Sequence, residues 1–164
     1  MIKVAIVDDN QINRITIKEK LAPYQDVLLV FEATNGEDFF EKLESLPKED
    51  YPQVVLMDLE MPILDGIVTI ASASIKFPEI KYIVLTIYED DDKIFEAIKA
   101  GASGYLLKED KAVNIVEAMK NVVQFDGIPM SPAIARRAMD LLRDTPKPTA
   151  SMQNAIIDHQ LSDR

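Results

Sequence analysis

The sequence predicts an α/β protein, a doubly wound five-stranded parallel sheet with helices on both faces, followed by a short C-terminal helix and a linker. Three observations predict it. Five short apolar runs punctuate the chain, and each is followed by turn chemistry and then by apolar residues at helical spacing. The run at 54–57, VVLM, is apolar throughout, which is the pattern of a strand buried on both faces rather than one with a solvated side. A closed barrel of the same alternation would need eight repeats.

Residues 3–7, KVAIV, make the first strand and end on the acidic pair Asp8-Asp9. Asn10 then caps a helix through Ile12, Ile15 and Leu21 that stops before Pro23. Residues 27–31, VLLVF, make the second strand, which ends on Ala33-Thr34 without a charged group; Asn35-Gly36 turns into a helix carrying Phe39, Phe40, Leu43 and Leu46 before Pro47. The third strand, 54–57, ends on Asp58. Pro62 cannot continue a ladder and Asp65-Gly66 is a turn pair, so the chain leaves through a loop into a helix over 67–76, broken by Phe77-Pro78. Residues 82–85, YIVL, make the fourth strand, ending on Thr86. The acids at 89–92 read as a helix first turn favoured by the helix dipole, since they lack the spaced oxygens and glycine of a calcium loop. Ile94, Phe95 and Ile98 continue that helix to Gly101. Residues 103–107, SGYLL, make the fifth strand, ending on Lys108. The last helix of the alternation carries Val113, Val116, Met119, Val122 and Val123 at a spacing suited to a sheet and closes at Gly127-Ile128-Pro129.

At 164 residues the chain has the length of one domain with room for an appendage. With no cysteine and a single histidine, His159, thiolate chemistry and histidine-rich metal sites are excluded, and any metal is a hard one held by oxygen. No run approaches the ~20 apolar residues of a membrane span, and a strand starts directly after Met1, so a cytoplasmic protein with no membrane partner is expected. The net charge of -10 is concentrated in residues 1–130, which makes that part a poor nucleic-acid binder.

In open parallel sheets, ligands bind outside the carboxyl ends of the strands, where strand order reverses. Here four strands end on Asp8-Asp9, Asp58, Thr86 and Lys108. An isolated aspartate after a strand is ordinarily a helix cap; the company of the other three ends argues against that for Asp58. Converging carboxylates raise one another's pKa unless a cation neutralises them. Magnesium fits, because it accepts one or two carboxylates and keeps positions for water and phosphate oxygens. Asp58 is then a candidate nucleophile towards phosphorus, with the metal and Lys108 neutralising the transferred group and the Thr86 hydroxyl hydrogen-bonding one of its oxygens.

Through VAIVDD, VVLMDLEMPILDG, VLT and GASGYLLK, residues 1–130 resemble the receiver domain of bacterial two-component response regulators of the NarL/LuxR type. The resemblance implies strand order 2-1-3-4-5 and phosphorylation of Asp58 by a sensor histidine kinase. It implies that Asp9, Asp58 and the Glu60 backbone carbonyl hold Mg2+ directly, with Asp8 acting through water. Thr86 and Lys108 hold the phosphoryl group, and Tyr105 matches the switch aromatic that turns inward when Thr86 moves. Glu60 and Tyr88, each two residues past a site residue, tune phosphoryl loss. A homodimer on phosphorylation, involving the face at 91–125 or a neighbouring one, and regulation of transcription also follow from the resemblance, with no catalysis beyond the domain's own phosphorylation and dephosphorylation. The chain departs from many relatives in carrying Glu109, not proline, after Lys108, so a trans peptide is expected there. Three other readings are a stand-alone receiver acting through protein contacts, a magnesium-dependent phosphatase or phosphotransferase and a flavodoxin-like cofactor module. Against the second, no insertion is long enough for a substrate cap; against the third, no loop offers a serine, threonine and glycine phosphate cradle.

Residues 131–144 hold the C-terminal helix, over 133–142, and 145–164 a linker through Thr145-Pro146-Lys147-Pro148-Thr149, which prolines keep extended. The chain finishes Leu161-Ser162-Asp163-Arg164. In NarL and LuxR-type regulators a helix-turn-helix domain opens with leucine, serine or threonine, a variable residue, arginine and glutamate. The expectation is therefore a DNA-binding domain beyond Arg164, and no specific DNA binding by residues 1–164 alone.

Overall fold

Alternation of side chains along each strand decides which helices cover which face. The computed structural model describes residues 1–87 and 90–144; Tyr88, the 145–164 linker and the LSDR ending lie outside the described residues. Its strands are β1 (Ile2–Val7), β2 (Val27–Ala33), β3 (Val54–Met57), β4 (Lys81–Thr86) and β5 (Gly104–Leu107), all parallel in the order β2-β1-β3-β4-β5. Val4, Ile6, Val54, Leu56, Ile83, Leu85 and Leu106 point to one face, where Ile17 and Leu21 of α1 (Gln11–Leu21) and Ile115, Met119 and Val122 of α5 (Ala112–Phe125) cover them. Ala5, Val7, Val55, Met57, Tyr82, Val84, Tyr105 and Leu107 point to the other. There they meet Phe39 and Leu43 of α2 (Gly36–Glu44), Ile70 and Ala73 of α3 (Gly66–Lys76), and Ile94 and Ala97 of α4 (Asp91–Ala100). The two-period of the strands thus sorts the core into two layers.

The helix starts expected from Asn10, Asn35 and Asp65 are formed by their side chains, which accept from the backbone N–H groups of Asn13 (3.1 Å), Asp38 (2.8 Å) and Val68 (2.9 Å). At α4 the outcome differs. Asp91 and Asp92 stand in the first turn, but Asp90, the capping position, makes no side-chain cap, and Asp91 instead pairs with Arg137 at 3.2 Å. Gly101 ends α4 with φ of 106°, a conformation in which a Cβ is strained, and Ala102 N–H returns to Ala97 O at 3.0 Å.

Several apolar residues that share helical spacing do not share the buried face. Phe95, Ile98, Val113, Ile12 and Ile15 are exposed, while Ala97, Ile115, Ala118 and Ile17 take the inward positions. A stripe only a few residues wide has room for part of each apolar set, and the sheet selects it by register.

A sixth helix, α6 (Pro132–Asp144), slightly longer than the predicted 133–142, packs against α4. Before it, residues 129–131 run beside β5: Tyr105 N–H donates to Pro129 O at 3.0 Å and Ser131 N–H to Tyr105 O at 3.0 Å, covering an edge that would otherwise present free ladder groups. Ile134 is fully buried in the layer that holds Tyr105, Ile94 and Ala97, with Ala138 and Leu141 beside it. The packed unit therefore extends past residue 130 through α6.

Two substitutions test this packing. Ile134→Ala should destabilise the fold by about 3 kcal/mol in urea unfolding, as a fully buried isoleucine would. Gly66→Ala should cost a comparable or larger amount, on the order of 3 kcal/mol, because a Cβ at Gly66 would overlap the Asp58 carbonyl oxygen beneath it.

Candidate functional site

The site is assembled by strand order. Val7 of β1 stands opposite Met57 of β3, so the next residue on each strand, Asp8 and Asp58, leaves the sheet at the same level. Their backbones remain tied to it: Asp8 N–H donates to Ala33 O at 3.0 Å and Asp58 N–H to Val7 O at 2.9 Å. Because β1 and β3 are neighbours whose connections run to opposite sides, this is the crevice where the order reverses. One carboxylate oxygen each from Asp8, Asp9 and Asp58 lie within 4.8 Å of one another; Asp8 and Asp58 are buried and Asp9 is exposed.

Lys108 supplies the positive charge. Its ammonium is 2.7 Å from Asp8 Oδ2 and 3.3 Å from Asp58 Oδ1, so it bridges both buried acids. Its backbone is fixed by a bond from Lys108 N–H to Thr86 O at 2.8 Å. Thr86 is fully buried at the end of β4, between the strands that carry Asp58 and Lys108. The Lys108–Glu109 peptide is trans, as expected from the missing proline, and the described residues contain no cis peptide bond.

One ammonium does not satisfy three carboxylates. Asp58 is pushed up from 3.8 to about 6, first by burial and then by the neighbouring Asp8 charge, against the opposing pull of Lys108. Asp8 Oδ2 is buried without an aligned hydrogen bond, although Lys108 lies close enough for an ion pair. An all-oxygen donor set with an excess of buried negative charge fits a hard divalent cation. Asp8, Asp9 and Asp58 are the side chains placed to hold it. The Glu60 side chain is committed elsewhere, 3.2 Å from Lys93, so any part it takes in metal binding falls to its backbone carbonyl.

The loop after Asp58 is held under strain. Ile63 has φ of 69° and lies inside a three-residue turn closed by Leu64 N–H to Pro62 O at 2.7 Å. A β-branched residue there costs on the order of 1–2 kcal/mol. The conformation is over-determined by Gly66 N–H to Leu59 O at 2.8 Å and Gly36 N–H to Leu64 O at 3.1 Å.

Tyr105 is buried, with its side chain in the layer beneath α4 and α6, so the structure holds it inward. Its hydroxyl is pushed upward in pKa by burial first and by Asp90 and Asp58 next. Tyr88, expected to flank the site, lies outside the described residues.

Two cations that sequence reasoning did not single out support the acidic loops. Arg14 Nη1 donates to Asp8 O at 2.7 Å while its Nε pairs with Glu32 at 3.3 Å, and Lys20 Nζ donates to the carbonyls of Lys108 and Asp110, each at 2.9 Å. No spacing in α1 distinguishes them from solvated helix lysines and arginines; only the fold shows which carbonyls they meet.

The raised Asp58 pKa gives a signed prediction. A carboxylate whose folded pKa lies above its unfolded value destabilises the fold when ionised. The penalty is absent below pH 4, grows between 4 and 6 and is complete above 6. In EDTA at pH 7, Asp58→Asn should therefore be more stable than the wild type by on the order of 2 kcal/mol in urea unfolding, and this advantage should vanish as the pH falls to 4.

The family described as response regulator receiver domain matches residues 4–120. The transcriptional regulatory protein DegU of Brevibacillus brevis is 36% identical over 123 residues, covering 75% of this chain and 50% of that protein. Among solved structures, a LuxR-family two-component response regulator from Aurantimonas sp. SI85-9A1 superposes with a TM-score of 0.78 at 23% identity, over 88% of this chain and 99% of the other. The isolated receiver domain of RcsB from Salmonella enterica serovar Typhimurium, solved in the presence of the phosphomimetic BeF3-, gives 0.72 at 24% identity, over 83% and 97%. These structural likenesses show the fold. The chain spans about half the length of the curated relatives it matches.

Proposed function

Since this chain belongs to the response regulator receiver domain family, in which its curated relatives are transcriptional regulators, we propose that it is a phosphorylation-switched signalling module whose phosphoacceptor is Asp58. The observation that carries the reading is the convergence on Asp58 of Asp8, Asp9 and the Lys108 ammonium at the crevice where strand order reverses. In the forward step an oxygen of ionised Asp58 attacks phosphorus of a phosphohistidine on a sensor kinase. The P–N bond breaks, its electron pair stays with the imidazole, and an aspartyl phosphate remains. Bound at Asp8, Asp9, Asp58 and the Glu60 carbonyl, Mg2+ would supply positive charge towards the phosphoryl oxygens. Lys108 leaves its bridge between Asp8 and Asp58 to meet those oxygens, and Thr86 offers its hydroxyl. Ionised Asp58 is the reactive form, so transfer is favoured above about pH 6, and metal binding widens that range downward by stabilising the carboxylate.

The chemistry is confined to the domain's own phosphorylation and dephosphorylation. The output is a change in α4, β5 and α5 together with α6, because Thr86 ends the strand beside β5, Tyr105 lies beneath α4 and α6, α5 follows the turn that carries Lys108, and α6 is tied to β5. Homodimerisation and, in a longer protein with a DNA-binding domain, control of transcription in the cytoplasm are the proposed consequences. DNA is reached only through that further domain.

Incubation with acetyl phosphate and Mg2+ should give one phosphoryl adduct by intact mass, absent from Asp58→Asn and from samples in EDTA. An adduct that persists in either would refute the assignment. Hydrogen exchange within residues 91–125 and 132–144 should change on phosphorylation, and sedimentation should shift towards a dimer.

A further inference from the structure

The end of β5 must aim a long, flexible side chain at the buried acids from a turn that contains neither proline nor glycine. The turn at residues 107–110 is closed by Asp110 N–H to Leu107 O at 3.0 Å. On its inner side, Lys108 N–H is held by Thr86 O, and Leu107 N–H is shared by Ser131 Oγ at 3.0 Å and Asp110 Oδ2 at 3.2 Å. The carbonyls of Lys108 and Asp110 both accept from one group, the ammonium of Lys20 in the last turn of α1, at 2.9 Å each. Lys20 is partly buried, and it makes no hydrogen bond or ion pair with Asp8, Asp9 or Asp58.

We propose that Lys20 is a positioning residue for phosphoryl transfer, holding the Lys108–Glu109 peptide so that the Lys108 ammonium stays within reach of the group that Asp58 accepts. The proposal rests on the phosphoacceptor reading of Asp58 given above. A solvated helix lysine would pair with a carboxylate or with water. This one joins the carbonyls of Lys108 and Asp110, on either side of the Glu109–Asp110 peptide, and so fixes the orientation of the two peptide planes that bracket it. The Lys108 side chain has four rotatable bonds beyond the first of these planes, and its tip is only as well placed as its base. Charge-assisted bonds to carbonyls are stronger than neutral ones, and their loss leaves both oxygens to water while the inner bonds keep the turn folded. The expected consequence is specific. The metal-binding carboxylates keep their geometry, whereas the cation that meets the anionic group loses its own.

The test measures two affinities in Lys20→Met: that of Mg2+ alone, and that of beryllium trifluoride at saturating Mg2+. Mg2+ affinity should be unchanged and beryllium trifluoride affinity should fall about tenfold, the usual size of an effect transmitted through a supporting residue. Lys20→Arg, which keeps the charge and two donors, should recover most of it. In a Lys108→Ala background, Lys20→Met should have no further effect, because the group it positions is gone. The proposal is overturned if the loss is below roughly twofold, if Mg2+ affinity falls in parallel, or if the full loss persists without Lys108. A wild-type chain that takes up no beryllium trifluoride overturns the phosphoacceptor reading itself, and this proposal with it.

Discussion

Charge crowding at the carboxyl ends of β1 and β3 is the constraint to which the rest of the domain answers. Parallel pairing in register sets Asp8 beside Asp58, and both are buried. Such a pair is unfavourable by itself, as the raised Asp58 pKa shows. It persists because the surrounding elements hold it from outside: Arg14 on the Asp8 carbonyl, Lys108 between the carboxylates, and the Gly66 contact beneath Asp58. A site whose resting state has an excess of buried negative charge binds a hard cation readily, and a phosphoryl group only with that cation's help. In the proposed function, the same crowding makes metal dependence and phosphoryl acceptance one property.

How much of this could be read from the sequence depends on whether the signal was local. Caps at Asn10, Asn35 and Asp65 were legible because a side chain three residues from its target needs nothing else. The strands and their terminal residues were legible because apolar runs flanked by turn chemistry admit few alternatives, although adjacency of Asp8 and Asp58 came from the family resemblance rather than from periodicity. Helix faces were less so. Phe95 and Ile98 share helical spacing with Ile94, yet the sheet and α6 take Ile94 and Ala97 and leave the other two exposed. Spacing gives a stripe, while the buried portion is chosen by tertiary packing. Least legible were Arg14, Lys20 and the docking of α6, whose partners lie far away in sequence. Asp91 looked like a simple first-turn acid, and it is also the partner of Arg137 in a helix 46 residues further on.

The position of α6 changes how a chemical event at Asp58 can be felt. Lys108 follows directly on Leu107, and the Leu107 N–H is held by the Ser131 hydroxyl, which also bonds Asp110. Ser131 in turn precedes the first residue of α6, and Ala135 N–H in that helix returns to the Ser131 carbonyl at 2.9 Å. The turn that aims Lys108 and the start of α6 are therefore parts of one hydrogen-bonded unit. Tyr105 belongs to the same unit through its backbone bonds to Pro129 and Ser131, and its ring lies in the layer that receives Ile134. A pull on Lys108 that shifted this turn would have to be absorbed either by the Ser131 bonds or by α6. The Ser131 bonds are buried, so breaking them leaves unpaired polar groups, a penalty of about 1–3 kcal/mol for each. Moving α6 keeps those bonds intact but exposes the fully buried Ile134, uncovers Ala138 and Leu141 and parts Arg137 from Asp91. On this argument α6 is more than a tether. It is joined by hydrogen bonds to the turn that carries Lys108 and by packing to α4.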